Sequence, residues 1–278
     1  MKKYLLFFLF LIVSSVSAKT LLVGNGLEYP SLLSALNNSE AGDTILIHNG
    51  TYSGGIYYGN LKGTENKKIY IIGETDSEVI FNGGSTAWQF SSAEYLEIQN
   101  ITFANQTANG VNFDDSGNLT VPARNITFRN CTFRDMQATG NNDLLKLSGI
   151  DNLEIINCRF INGSSGGSMI DMVGCHNVAI RQSYFENGGS NAIQAKGGSS
   201  NVLIERNQFV NPGLRGINIG GSTGLQFFRP PDANYEAKEI LVYSNLFIGG
   251  DAPVAFVGAV NSEVINNTFI NSKNWAAR

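Results

Sequence analysis

Four side chains between positions 146 and 215 could carry chemistry: Lys146, Asp171, Lys196 and Arg215. Lys196 ends the run AIQAK and is followed by two glycines, so its amine sits beside backbone that a flat ligand can approach closely. A lysine so placed can take a proton from carbon, and a guanidinium nearby can neutralise a carboxylate on the same ligand. Other chemistries are poorly supplied. His48 and His176 are far apart in sequence, one early and one in a later turn, so neither a histidine dyad nor a zinc site is expected. Cys131, Cys158 and Cys175 lack metal-type spacing. Hydrolysis of a glycosidic bond needs two carboxylates across one groove. Only Asp171 and Asp114 come near that, two repeats apart, so a glycoside hydrolase is the lesser alternative.

The elements that must position these groups are visible as a repeat. NITFRNCTF (125–133), NLEIINCRF (152–160), NVAIRQSYF (177–185) and NVLIERNQF (201–209) are variants of one phrase, with shorter relatives before and after. The closing phenylalanines fall at 103, 133, 160, 185, 209, 247 and 269, at intervals of 30, 27, 25, 24, 38 and 22 residues. Apolar and polar positions alternate within each phrase, and asparagine or glycine interrupts each after a few residues. Such a period describes an all-β solenoid whose coils stack about 4.8 Å apart. The phenylalanines then form an internal stack, Asn207, Asn245 and Asn267 an amide ladder, and Cys131 and Cys158 a column of small buried fillers.

Stacking also defines an outer column. If Leu145/Leu147, Ile170/Met172, Ile193/Ala195 and Ile217/Ile219 face inward, the residues between them are Lys146, Asp171, Gln194 and Asn218, with Asn112 one coil earlier. Lys146 and Asp171 are then direct neighbours, which keeps Lys146 an ammonium and suits it to orienting substrate. Lys196 falls one step further along, among Ser148, Val173 and Gly220, with no carboxylate expected beside it, and Arg215 is expected to approach from the next turn. The 38-residue interval holds an insertion, 222–239, that should overhang Lys196. Its Phe227, Phe228 and Tyr235 could carry sugar rings, and Arg229 could grip a carboxylate. The two phenylalanines could equally serve only to pin the loop.

The ends and the balance of charge set the compartment. MKKYLLFFLFLIVSSVSA has the layout of a secretory signal peptide, residues 1–18, too short in its apolar run to span a bilayer. Its removal takes away Lys2 and Lys3 and no acid, moving the formal charge from −4 to −6. No basic stripe exists for nucleic acid, although local cations in a groove could still meet an acidic polysaccharide. Residues 19–278 form one domain, opening with a short capping helix around Leu32, Leu33, Ala35 and Leu36 after Pro30. No comparable segment follows the last strand, so the C-terminal end is expected to be truncated or uncapped. The product is secreted or held in the cell envelope, with no membrane attachment after cleavage.

The opening SLLSALNNSEAGDTILIHNGTY, then LKGTENKKIYIIGE, then the phenylalanine-anchored coils resemble right-handed parallel β-helix proteins of the pectin-lyase-like superfamily. The nearest likeness is to the chondroitinase-B and alginate lyase family. That resemblance implies β-elimination on uronate-containing polysaccharide, with a strand-end lysine as base, an arginine one coil later, and a calcium ion holding the substrate carboxylate. Lys196 matches the lysine. The strand one coil later, GINIGG, has no arginine at its end, and Arg215 precedes it. Where acidic calcium ligands would precede the lysine, GGSNAIQ offers Asn191 and Gln194. The reading is therefore a polysaccharide lyase with Lys196 and Arg215 catalytic. Lys146, Asp171, Asn191, Gln194, Asn218, Phe227, Phe228, Arg229 and Tyr235 would bind substrate. The alternative is a β-helix that binds glycan, or packs in an envelope assembly, without cleaving it.

Overall fold

The computed structural model describes residues 17–278 except Ser77, so the expected leader lies almost wholly outside the described residues. The chain winds through three parallel sheets of 11, 8 and 9 strands, visiting each once per coil. Within every coil the path bends at residues of positive φ, and asparagine supplies most of those that are not glycine. Asn157, at φ 51°, separates the strands Ile150–Ile156 and Arg159–Ile161. A short polar side chain tolerates this left-handed region better than most, which explains the asparagine punctuation of the repeat.

Inside the tube the phenylalanines superimpose. Phe133, Phe160, Phe185, Phe209 and Phe247 stack with centroids 4.4 to 4.9 Å apart and planes within 11° of parallel. The amide ladder is also present. Asn207 Nδ2 donates to Asn245 Oδ1 at 3.0 Å, and Asn245 Nδ2 to Asn267 Oδ1 at 2.9 Å. Cys131, Cys158 and Cys175 are free and buried. Burial pushes the Cys158 and Cys175 thiols up, the latter to about 12, so both remain inert fillers at neutral pH.

A helix, Leu32–Leu36, is capped by Ser31, whose hydroxyl accepts from the Ser34 amide, and it buries Leu32, Ala35 and Leu36 against the first coil. At the other end, Arg278 meets the outer edge of the strand Ala252–Val257: its amide donates to the Val254 carbonyl, and the Phe256 amide donates to its carbonyl. The insertion is shorter than expected. It runs from 221 to 236, because Ala237–Tyr243 is a strand in register with Ser199–Glu205.

The eight-stranded sheet carries the outer column. Register aligns Gln89 with Asn112, Asn112 with Lys146, Lys146 with Asp171, Asp171 with Gln194, and Gln194 with Asn218. Alternation turns their apolar neighbours inward, so six polar side chains form one ridge on the outside of the tube.

Candidate functional site

Charge gathers in the middle of this ridge. Lys146, in the strand Leu145–Ser148, donates its ammonium to Asp171 Oδ2, and its Nζ lies 3.6 Å from Asp143 Oδ2. Burial pulls the Lys146 ammonium down, but the Asp171 and Asp143 carboxylates outweigh it and hold its pKa above the usual lysine value. Lys146 is thus a permanent cation. Lys196 Nζ stands 3.1 Å from Asp171 Oδ1 and 3.4 Å from Gln194 Oε1. The contact with Asp171 has ion-pair distance without hydrogen-bond alignment, so that buried oxygen accepts no hydrogen bond.

This corrects the expectation that no carboxylate sits beside Lys196. Its direct strand neighbour is indeed Val173, but the side chain is long enough to fold back to Asp171, the diagonal residue one strand away. Arg215 is corrected too. It pairs with Asn191 at the far end of the strand from Lys196, five residues or roughly 16 Å of extended backbone away. There its Nη1 reaches Asn191 Oδ1 at 3.5 Å, while its Nε is buried without a partner.

The remaining polar residues link these ends. Asn191 Nδ2 donates to Ser168 Oγ at 3.1 Å and to Gln194 Oε1 at 3.4 Å. Gln194 Nε2 and Asn218 Nδ2 both donate to the Gly220 carbonyl. Among the described residues seven buried side-chain polar atoms lack a hydrogen-bond partner; three are on the ridge, Asn112 Oδ1, Asp171 Oδ1 and Asn218 Oδ1, and Trp88 Nε1 and Arg215 Nε are elsewhere on the same sheet. Unsatisfied polar atoms cost stability, and three of the seven fall in one column.

The insertion builds one wall of a cleft of about 490 Å³ beside the ridge. Lys146, Ser148, Val173 and Lys196 line it, Ser222, Thr223 and Phe227 close one side, and Asp114, Asp115 and Leu119 the other. Phe227 is exposed and faces this space, whereas Phe228 is buried and anchors the loop. Arg229 does not present a free guanidinium, although it borders the cleft. It is only 6% exposed and is spent on the Gly174 carbonyl and the Asp151 carboxylate, with His176 Nε2 3.1 Å from its carbonyl oxygen. Glu236 ties the loop base down, accepting from the Gly197 and Thr223 amides. Tyr235 lies outside the cleft lining, its ring 6.0 Å from Lys238 Nζ.

Two residues of the site escaped the sequence reading. Asp143 precedes its strand, is 3% exposed, and accepts the Ser168 amide at 2.8 Å. Burial first, and the Asp171 carboxylate second, push its acid up to about 6 against the pull of Lys146, the Ser168 amide and Lys196. Asp115 makes a turn to the Gly117 amide, and its carboxylate is buried in the cleft wall over Gly149. A β-carbon at Gly149 would stand 2.0 Å from Asp115 Oδ2, so glycine there is what lets the carboxylate settle. Alternation could not flag Asp143 or Asp115, because neither occupies a strand position.

Calcium does not fit this arrangement. Among the described residues no group of three or more histidine, cysteine, aspartate or glutamate side chains is assembled to hold a metal ion. The buried carboxylates Asp143 and Asp171 are already met by two ammonium groups that would repel a divalent cation.

The parallel coils and outer ridge define the class of protein. Residues 45–229 and 121–276 match the right-handed β-helix region family, and the chain belongs to that family. It is similar in structure to an alginate lyase from Paenibacillus sp. str. FPU-7, at 15% identity over 92% of this chain and 97% of the other, with a TM-score of 0.59. A mannuronic acid specific polysaccharide family 6 lyase from human gut microbiota is similar at 14% identity, over 94% of this chain and 67% of the other, with a TM-score of 0.52. At such identities the likeness concerns the fold. No curated protein sequence matches the chain.

Proposed function

We propose that the chain is a secreted, polysaccharide-active β-helix protein that cleaves uronate-containing polysaccharide by β-elimination in the cleft beside the ridge. The observation that carries this reading is the convergence of Lys146 and Lys196 on one carboxylate in an open cleft. Lys146, fixed as a cation between Asp143 and Asp171, neutralises the sugar carboxylate and so acidifies the adjoining C5–H. Lys196, the more loosely held of the two, accepts that proton. Its own resting proton must leave first, and Asp171 Oδ1, which accepts no hydrogen bond, is the adjacent acceptor. Electrons of the broken C5–H bond then form the C4–C5 double bond and expel the C4 oxygen. Phe227 offers a face for a sugar ring, and Gln194, Asn191 and Asn218 orient the chain along the ridge. Arg215, at the far end of its strand, serves as a carboxylate-binding group on a neighbouring sugar.

Export is supported by the leader-like first 18 residues and by the likeness in fold to polysaccharide lyases; among the described residues no helix is long and apolar enough to cross a membrane. The helix Leu32–Leu36 is read as the cover of the first coil.

A second reading has its own observation. As found, Lys196 is an ammonium at a carboxylate, which suits binding of an acidic glycan without cleavage. A hydrolase is less well supported, because Asp171 is buried between two lysines and Asp114 is engaged by Gln89 Nε2 at 2.6 Å. The test is incubation with pectate, alginate and chondroitin while the ultraviolet absorbance of the unsaturated product is followed. Product from one of them supports the lyase. Binding without product on every polymer selects the second reading, and neither binding nor product removes both.

A further inference from the structure

The mechanism above gives Asp143 no task beyond holding Lys146, although it is the most deeply enclosed acid facing the lysines apart from Asp171. It cannot touch a ligand in the cleft, since its Oδ1 is turned to the Ser168 amide and its Oδ2 to Lys146. Its own backbone amide is fixed by Asn109 Oδ1 at 2.8 Å. The charged groups that face it are Lys146 from the following strand, Asp171 from Ser168–Val173 and Lys196 from Asn191–Lys196. With every one of the four ionised, their formal charges cancel.

We propose that Asp143 is a positioning residue that sets the charge of the cleft. Ionised, it completes a neutral set with Lys146, Asp171 and Lys196; protonated from solvent, it leaves one ammonium charge uncompensated, and that charge takes the carboxylate of an acidic sugar. This inference rests on the proposed uronate ligand, but the charge coupling within the cluster does not. Enclosure of Asp143 supports it, since the same burial that hides the carboxyl from ligand raises its acid to about 6, inside a range where ordinary carboxylates stay ionised. Capture of an acidic sugar therefore strengthens as pH falls through that value, which is the opposite of what titration of the sugar itself would give.

The experiment has two arms. Calorimetric titration with oligogalacturonate and with oligomannuronate at pH 5 and 7.5 should give wild-type affinity about tenfold higher at pH 5, the size expected when one charge a few ångströms away is removed. Asp143→Asn should bind tightly at both values, with the pH dependence gone; a merely structural role would weaken binding at both. Separately, ¹⁵N spectra of the lysine ammonium groups, recorded without sugar, should show the Lys146 signal stepping with a midpoint near pH 6. Equal wild-type affinity at the two pH values, or an unchanged profile in Asp143→Asn, overturns the proposal. Should no uronate oligomer bind at any pH, the proposed function fails, and the Lys146 signal still decides: a step near pH 6 upholds the role of Asp143, and a flat signal ends it. That arm needs only the wild-type protein, so it holds even if the variant does not fold.

Discussion

The interior ladder and the outer ridge are built from the same resource, polar side chains stacked at one position per coil, and they end in opposite states. Asn245 in the ladder is 2% exposed, and its amide is fully used: Oδ1 accepts from Asn207, while Nδ2 donates to Asn267 and to the Ile204 and Tyr243 carbonyls. Asn218 on the ridge is 4% exposed, yet its Oδ1 has no partner. Identical side chains one above another satisfy each other because every amide both donates and accepts. The ridge mixes Gln89, Asn112, Lys146, Asp171, Gln194 and Asn218, which do not pair off so evenly, and Asn112 Oδ1, Asp171 Oδ1 and Asn218 Oδ1 are left without a partner. Repetition makes scaffold, and its interruption leaves polar atoms unmatched.

The sharpest way to break this contrast is at the charged centre. Lys196→Ala should lower turnover about 10²–10⁴-fold, the usual contribution of a proton-transferring side chain, while the circular dichroism of the solenoid is unchanged. Turnover within a few-fold of wild type would remove Lys196 as the base. Next in size is the asparagine pair. Asn245→Ala strands buried donors and acceptors on both neighbouring coils and should cost about 3 kcal/mol in urea unfolding. Asn218→Ala deletes an oxygen that has no partner to lose and one bond to the Gly220 carbonyl, which Gln194 still meets, so it should cost only about 1 kcal/mol while weakening glycan binding. Equal losses of stability in the two variants would mean that the ridge is scaffold like the ladder.

A smaller effect follows from Asp143. Its folded acid lies near 6, above the ordinary value of 3.8, so the native state holds this proton more tightly than the unfolded chain does. The stability it contributes is therefore complete below about 3.8 and is lost as pH rises through about 6. Over that window wild type should lose about 2–3 kcal/mol relative to Asp143→Asn. Comparing the two proteins cancels carboxylates such as Asp151 and Asp135, whose acids are lowered and act in the opposite sense at more acid pH. Parallel stability curves for the two would contradict the raised acid.

The same contrast explains what could be read from the sequence. Phe160, Phe185 and Phe209 announce the tube because one residue type recurs at one position, and stacking then aligns Lys146 with Asp171 without further information. Lys196 was harder. Its backbone neighbours were foreseen, but its partner is set by how a flexible four-carbon chain folds, which register does not encode. Asp143 stands just outside a strand, where alternation says nothing about direction. Arg229 lies in an aperiodic loop, where a charge that looks available for ligand is consumed by a carbonyl and a carboxylate distant in sequence.

That loop gives the mildest test, because it asks whether the cleft wall must be held to work. Arg229 joins the insertion to Gly174 and Asp151, while Phe228 and Glu236 hold it independently. Arg229→Ala removes one fastening of three, and Asp151 keeps His176 at 3.4 Å and a share of solvent, so the cost should be only about 1 kcal/mol, or a fall of roughly 2–4 °C in Tm. The wall should loosen nonetheless. Proteolysis between positions 222 and 230 should quicken, and KM for the polysaccharide should rise several-fold with kcat little changed, since Phe227 is displaced while Lys146 and Lys196 stay on their strands. A resistant loop with unaltered KM would mean that Phe228 and Glu236 alone fix the wall, and that burying a guanidinium here serves only to neutralise Asp151.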